Sequence, residues 1–324
     1  ITSGYSAVIV NIECTISNGL PSFTIVGLAS KAVDESKERI RAAISASGYS
    51  FPKKRIIINL APADIQKNSA SLDSAIALAI LRADKQIAPK MNVVAIGELG
   101  LDGSIHSAKG LIGLLKPYVS SKERCIFYPM HNFDQVAPLK LHNAYAVSHF
   151  RDIVECINGN TRLELRKVEP QAQPKLRPEP ETIDFAEIIG QEAAKRALTI
   201  AAAGGHNILL SGPPGTGKSM LAKAFIGILP PLSLSESLET THIHSLAGTE
   251  LNSLIAAPPL RSPHHSASAV SIAGGGHAMK PGEISMAHNG VLFLDEFPEF
   301  QRSIIETLRQ PMEDYAITIS RAQS

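Results

Sequence analysis

The chain has 324 residues, 44% of them apolar and 19% charged, and carries a formal net charge of +1. That length suits about two domains at roughly 100–200 residues each, and the near-neutral balance excludes a chain that coats nucleic acid through bulk charge, leaving only a local patch or a ring of subunits for such a contact. Cys14, Cys125 and Cys156 are far apart with no C-x-x-C pair, and no run of about 18 apolar residues or export signal occurs, so a soluble cytoplasmic protein with reduced thiols is expected, with no zinc site and no membrane contact.

The first 160 residues alternate strand-like and helix-like segments. SAVIVNIECTI (6–16) has a period of two and β-branched residues, which predicts a strand. SKAVDESKERIRAAISASG (30–48) puts Ala32, Ile40, Ala43 and Ile44 near one face and stops at Gly48, which predicts a helix with a glycine C-terminus. RIIINLAP (55–62) reads as a short buried strand, LDSAIALAILRAD (72–84) as an apolar helix, and CIFYP (125–129) as another strand. NVVAIGELGLDGSIHS (92–107) suggests a hairpin around Asp102–Gly103. This is an α/β or α+β domain.

VEPQAQPKLRPEPE (168–181) has four prolines, Pro170, Pro174, Pro178 and Pro180, and almost nothing to bury, so it reads as an extended spacer. The organisation drawn from it is a front domain over 1–162, a linker over 163–183 and a second domain over 184–324. In the second domain IIGQEAAKRALTIAAAGG (188–205) predicts a helix closed by glycines, and HNILLSG (206–212) a buried strand. A helix follows to Leu229, then an irregular stretch rich in Pro, His, Gly and Ser over 230–290. VLFLDE (291–296) predicts a second buried strand and EFQRSIIETLRQPMED (299–314) a helix.

Chemistry enters at GPPGTGKS (212–219), a G-x-x-x-x-G-K-[ST] pattern between an apolar strand and an amphipathic helix. Such a loop needs glycines so that backbone N–H groups point inward at phosphate oxygens, with the positive end of a helix behind them. Gly212, Pro213, Pro214, Gly215, Thr216, Gly217, Lys218, Ser219 and Met220 are the candidate nucleotide contacts. Lys218 serves the β/γ-phosphates, and the Ser219 hydroxyl serves Mg²⁺. VLFLDE supplies the partner motif, with Asp295 as a second Mg²⁺ ligand and Glu296 as the group that polarises the attacking water. The plain alternatives, a Gly/Pro-rich turn and two solvated acids, explain neither the flanks nor the co-occurrence.

Together with GQEAAKRALTIAAAGGHNILLSGPPGTGKSMLA, the strings RSPHHSASAVSIAGGG, PGEISMAHNGVLFLDEFPEF and LRQPMED closely resemble the magnesium-chelatase-like branch of AAA+ ATPases. More narrowly they resemble the ComM/YifB family, which SNGLPSFTIVGLASKAVDESKERIRAAI and KRIIINLAPADIQK in the front domain match as well. The resemblance implies an α/β protein: a Lon-protease-like (ribosomal S5 domain 2-like) α+β domain, then a P-loop AAA+ three-layer α/β core. It implies ATP and Mg²⁺ as cofactors, a hexameric ring, and DNA, single-stranded or branched, as the partner threaded through the pore. The implied activity is ATP hydrolysis driving branch migration when transforming DNA is integrated. Ile189 and Gly190, within the IIGQ segment, would border the adenine. A metal-insertion ATPase subunit of the magnesium chelatase type is the alternative.

Six of the eleven histidines, His242, His244, His264, His265, His277 and His288, fall in 242–288. Metal binding is disfavoured because no H-x₃-H spacing, cysteine or compact acidic cluster joins them. A pore-lining insertion, with Arg261, Lys280 and Gly274–Gly276 tracking a DNA backbone, stands beside the simpler reading of solvated surface loops. Proteolysis by the front domain is disfavoured: Ser71 takes the position of the Lon nucleophile without its flanking glycines, and Ile112 the position of its lysine, with Lys109 three residues early. A serine without a base is a poor nucleophile. The segment KNSASLDSAIA also departs from its family, keeping Lys67, Asp73, Ile76 and Ala77 but carrying Ser74 and Ala75 where Leu-Pro is usual. Finally, the chain begins at Ile1 and stops at Ser324, which reads as an incomplete core; the resemblance puts the sensor, arginine finger and lid beyond it, so ATP binding with little turnover is expected from these residues alone.

Overall fold

A computed structural model of the chain describes residues 1–67, 69–88, 92–159, 166–167, 183–276 and 279–318. The chain divides into two units, Ile1–Lys175 with Leu251–Ser253, and Leu176–Glu250 with Leu254–Ser324. The linker expected over 163–183 lies outside the described residues except for Arg166, Lys167 and Ile183, as do His277 and the chain end from 319.

In the first unit the period-two residues form β1 (Asn11–Ser17), which pairs antiparallel with β3 (Arg55–Ala61) from Asn11↔Ala61 to Ser17↔Arg55. A strand that sequence reading did not single out, β2 (Ser22–Val26), lies parallel on the other side of β3, in the order β1-β3-β2. The central strand alternates strictly, sending Ile56, Ile58 and Leu60 into the core. Helix α1 (Lys31–Ala46) buries Val33, Ile40, Ala43 and Ile44 at helical spacing. It ends where Gly48 takes φ +87°, a left-handed conformation that lets the Tyr49 N–H reach back to Ile44 O at 3.1 Å. Helix α2 (Asp73–Ala83) packs on α1 and β1 through Ile76, Ala77, Ile80 and Leu81. Each fully buried isoleucine or leucine in this layer contributes about 1.5–3 kcal/mol of transfer free energy.

A second sheet in this unit aligns β4 (Val93–Ala95), β7 (Cys125–Pro129) and β8 (Ala144–Val147) in parallel, with β7 in the middle, and Arg166–Lys167 adds antiparallel to β8. All five residues of β7 are buried, as expected for a parallel strand covered on both faces. Between them the hairpin of β5 (Glu98–Leu99) and β6 (Ile105–His106) turns at Gly103, with the Ser104 N–H donating to Asp102 Oδ1 at 2.9 Å. Helix α3 (Leu111–Leu115) is wholly buried, and α4 (Phe150–Ile157) follows β8.

The second unit departs further from expectation. Helix α5 (Glu192–Gly204) forms and is capped by left-handed Gly205. The segment HNILLSG is not a buried strand: it carries no ladder, and Leu209 is 80% exposed. An apolar run permits a strand but cannot supply the neighbour whose hydrogen bonds define one. The helix to Leu229 is α6 (Lys218–Ala224) tightened into a 3₁₀ turn over Phe225–Ile228.

The stretch 230–290 is far from irregular. It opens with α7 (Leu234–Ala247), a 14-residue helix with a reciprocal capping box between Ser233 and Glu236. There follow β9 (Leu260–Arg261), α8 (Ala269–Ala273), the hairpin of β10 (Gly274–Gly275) and β11 (Lys280–Pro281), and the single turn α9 (Glu283–Met286). VLFLDE contributes only two residues of ladder: β12 (Val291–Leu292) pairs parallel with β9, and Val291 to Leu294 are half-buried. The last expected helix is two, α10 (Arg302–Thr307) and α11 (Arg309–Asp314); Pro311, which lacks an N–H, falls in the first turn of α11, where none is needed.

Candidate nucleotide-binding site

The loop between HNILLSG and α6 is held by its own backbone. Gly215 and Gly217 take φ +80° and +82°, with open space where a Cβ would stand, so the requirement for glycine there is conformational and not steric. Thr216 Oγ1 donates to Pro213 O at 2.9 Å, closing the turn. Lys218 Nζ folds across the loop and donates to Gly212 O and Pro213 O, both at 2.8 Å. The ammonium charge therefore stands at the loop mouth, in a site whose backbone N–H groups precede a helix N-terminus.

A second segment borders the loop. Gly190 and Gln191 both have positive φ, +74° and +59°, and the Gln191 amide donates to Thr216 O at 3.3 Å. Ile188 is buried in the core formed with Leu198, Ala201, Leu221, Ala224 and Phe225. Its neighbour Ile189 is 97% exposed, and Met220, after the loop, is exposed as well. The anchored isoleucine and the exposed one are adjacent, and the left-handed Gly190 and Gln191 follow them.

The two motifs meet at one contact. Ser219 Oγ donates to Asp295 Oδ2 at 2.8 Å across a sequence separation of 76 residues. Asp295 Oδ1 in turn accepts the Glu296 N–H at 3.0 Å, and Glu296 sits in the left-handed region at φ +53°, ψ +46°. The two hydrogen bonds Val291 N–H to Pro259 O and Phe293 N–H to Arg261 O, each 2.8 Å, fix β12 beside β9 and so set where both carboxylates emerge. A hydroxyl and a carboxylate oxygen converging at hydrogen-bond distance are the small hard-oxygen donor set that Mg²⁺ uses when phosphates and water complete its shell. The residues present fit the ion.

One contact to this pair escaped sequence reading. His265 Nδ1 lies 3.4 Å from Glu296 Oε2. The other histidines separate by environment: His242 and His244 are buried on α7, where His244 Nε2 meets Met286 O at 2.9 Å, and His288 Nε2 stands 3.5 Å from Glu239 Oε2.

The expected DNA-tracking pair is also divided. Arg261 is not a free cation, because it forms a bidentate pair with Glu283, Nε–Oε2 2.6 Å and Nη2–Oε1 2.8 Å, and that contact raises its pKa further. Lys280 is exposed on the hairpin. Both line a groove of about 630 Å³ with Thr249, Ser271, Glu283 and Met286, and the lining includes none of the loop residues 212–219.

In the first unit, Ser71 is buried and its hydroxyl lies 2.6 Å from that of Ser69, another hydroxyl and not a base. Ile112 is part of the buried helix α3, and Lys109 is exposed. Lys67 is fully buried, with Nζ donating to Pro62 O. Asp73, also buried, accepts Arg39 Nε at 2.9 Å; burial pushes its carboxyl up to about 6 even though Arg39 opposes the rise.

Residues 184–324 match the family model described as magnesium chelatase, subunit ChlI, and residues 12–132 match one described as subunit ChlI of Mg-chelatase. The YifB protein of Salmonella typhimurium is 43% identical over 325 residues, covering 99% of this chain and 63% of the relative. The competence protein ComM of Haemophilus influenzae is 42% identical over 324 residues, again 99% of this chain and 64% of the relative. The chain thus spans less than two thirds of the length of these relatives. The magnesium-chelatase 67 kDa subunit of Chlorobaculum parvum is 28% identical over 145 residues, 43% of this chain and 20% of that protein. Identity at this level along nearly the whole chain, with both family models in sequence order, makes it a member of the ComM/YifB family of magnesium-chelatase-like proteins.

Proposed function

We propose that this chain is the ATP-binding part of an AAA+ motor that hydrolyses ATP with Mg²⁺ and uses the energy to remodel DNA, as a branch-migration helicase in recombination of the ComM type. The observation that carries the reading is the Ser219–Asp295 contact, which joins a phosphate-loop hydroxyl to a strand-end carboxylate at 2.8 Å. In this mechanism the N–H groups of 212–217 bind phosphate oxygens, and Lys218 turns from the loop carbonyls to the β/γ-phosphates. Ser219 and Asp295 would hold Mg²⁺, which would supply charge neutralisation on those phosphates. Glu296 orients the attacking water and takes up its proton. Ile189 and Gly190 offer the base an apolar edge.

The rest of the assignment follows the family. The front domain, 1–162, is of the Lon-like S5 type without peptidase chemistry, joined through 163–183 to the AAA+ core at 184–324. The motor assembles as a hexameric ring in the cytoplasm; among the described residues no helix is long and apolar enough to cross a membrane. Lys280 is the cation of the insertion best placed to meet a phosphate backbone, since Arg261 is taken by Glu283. A metal-insertion ATPase subunit is the second reading, favoured by the two ChlI models.

The test is the full-length protein on a labelled forked DNA, with and without ATP. ATP-dependent strand movement that disappears with Lys218→Ala supports the motor. Binding of ATP with indifference to DNA moves the assignment to the second reading, and loss of neither binding nor turnover in Lys218→Ala refutes the nucleotide site.

A further inference from the structure

The ladder that joins β9 to β12 has a consequence four residues downstream. Arg261 is in register with Leu292, so His265 and Glu296 stand at the same distance past one register pair, at the same end of the two strands. The two side chains meet there, Nδ1 to Oε2, at 3.4 Å. The His265 ring is not a loose surface group. It packs against His264 with centroids 4.0 Å apart and the rings tilted by 36°, and sets its edge on Phe300, at 6.5 Å and an interplanar angle of 84°. Phe300 belongs to the small core with Ile272 and Ile304. His264 is fixed in turn, because its Nδ1 lies 2.8 Å from Ser266 Oγ and accepts the Ser266 N–H at 3.2 Å, while the Ala267 N–H donates to His264 O at 2.9 Å.

From the other side, Glu296 has only its backbone secured, through the N–H given to Asp295 Oδ1 and a left-handed φ that a glutamate adopts at a cost. Its side chain is 67% exposed, and an exposed glutamate has several rotamers open to it. A water-orienting carboxylate needs one.

We infer that His265 is the positioning residue for Glu296: a ring braced by His264 and Phe300 that selects the carboxylate rotamer used in hydrolysis. The inference rests on the nucleotide-hydrolysis reading above. It ties the orientation of Glu296 to the turn SPHHS, which leads into α8 and the hairpin of the insertion, so a rearrangement of those elements changes turnover without touching the phosphate loop.

The experiment is steady-state ATP turnover with a parallel titration of a fluorescent nucleotide, on the full-length protein. His265→Ala is expected to lower kcat about ten- to a hundredfold, the scale of an ångström-level misplacement of a reacting group, with KM and nucleotide affinity within about twofold. His265→Asn, which keeps an N–H near the place of Nδ1, is expected to restore most of kcat. In a Glu296→Gln background, His265→Ala is expected to cause no further loss, because the two act as one unit. Unchanged or increased kcat in His265→Ala overturns the inference, as does a loss of nucleotide affinity that His265→Asn does not rescue, or a full additional loss in the Glu296→Gln background. Failure of the underlying reading looks different: the wild-type protein then shows no Lys218-dependent nucleotide binding at all.

Discussion

Gly290 offers the sharpest test of how the fold sets the site. It precedes β12, and a Cβ added there would stand 2.1 Å from Pro259 O and 2.6 Å from Pro259 Cδ. Its φ is not in the left-handed region, so alanine is strained only by lack of space. Backbone on backbone cannot be relieved by a side-chain rotation; the two strands must part by about 1.3 Å to reach the 3.4 Å of an ordinary contact. Pro259 O is the acceptor for the Val291 N–H, and the next bond, Phe293 N–H to Arg261 O, lies one step along the same ladder. Overpacking of this kind costs about 1–3 kcal/mol, and each weakened hydrogen bond about 0.5–1.5 kcal/mol. The functional effect is larger than the stability effect, because Asp295 and Glu296 follow the strand that moves. A displacement near 1 Å at a reacting group costs on the order of a hundredfold in rate. Gly290→Ala in the full-length protein is therefore expected to lower ATP turnover about a hundredfold. The phosphate loop lies on another segment, so fluorescent-nucleotide affinity should stay within a fewfold. Turnover within threefold of wild type would refute the view that the β9–β12 ladder positions the two carboxylates.

Two further outcomes test the scaffold. Asp73 is held protonated in the folded chain up to about pH 6 against an ordinary value of 3.8, so the folded state binds that proton more tightly than the unfolded state. This group therefore makes stability fall as pH rises from about 4 to 6, by about 3 kcal/mol for a shift of roughly two units; Asp73→Asn is expected to flatten that part of a Tm-versus-pH curve, and an unchanged slope would refute it. Ser233→Ala removes the side-chain half of the cap on α7 and is expected to cost about 0.5–2 kcal/mol in a denaturant melt of the second unit; a change below 0.3 kcal/mol, roughly the scale of a Gly-for-Ser cap, would count against the box.

What could be read from the sequence was what short range dictates. The Ile40, Ala43 and Ile44 face of α1, the Gly48 stop and the all-apolar β7 each depend on residues within one or two turns of chain, and each appears as expected. Helix α7 was missed because apolar periodicity is the wrong signal for it. Its buried face is polar, with Ser237, Thr240, Thr241, His242, His244 and Ser245, and only the Ser233–Glu236 pair marked its start. Those hydroxyls act where strand neighbours would: Ser237 Oγ donates to Ile255 O, the Ile255 N–H donates to Thr241 Oγ1 at 2.9 Å, and Asn289 Nδ2 reaches Thr240 Oγ1 at 3.3 Å. A backbone satisfied by side chains leaves no strand pattern in its own sequence.

The site obeys the same division. Lys218, Ser219, Asp295 and Glu296 stand out as candidates in the sequence because phosphate chemistry would demand those residue types at fixed places in a loop and at a strand end. The partner of Glu296 was not, since the spacing that makes His265 matter is counted from a ladder between Arg261 and Leu292, and a ladder is a fact about two segments. Arg261 failed for the complementary reason. As a residue type it suits a phosphate backbone, yet Glu283 lies 22 residues on and folds back to meet it with both oxygens. A basic residue in an insertion is thus a candidate for nucleic acid only after the acids of the same insertion have been placed, and by that criterion the insertion offers Lys280 and withholds Arg261.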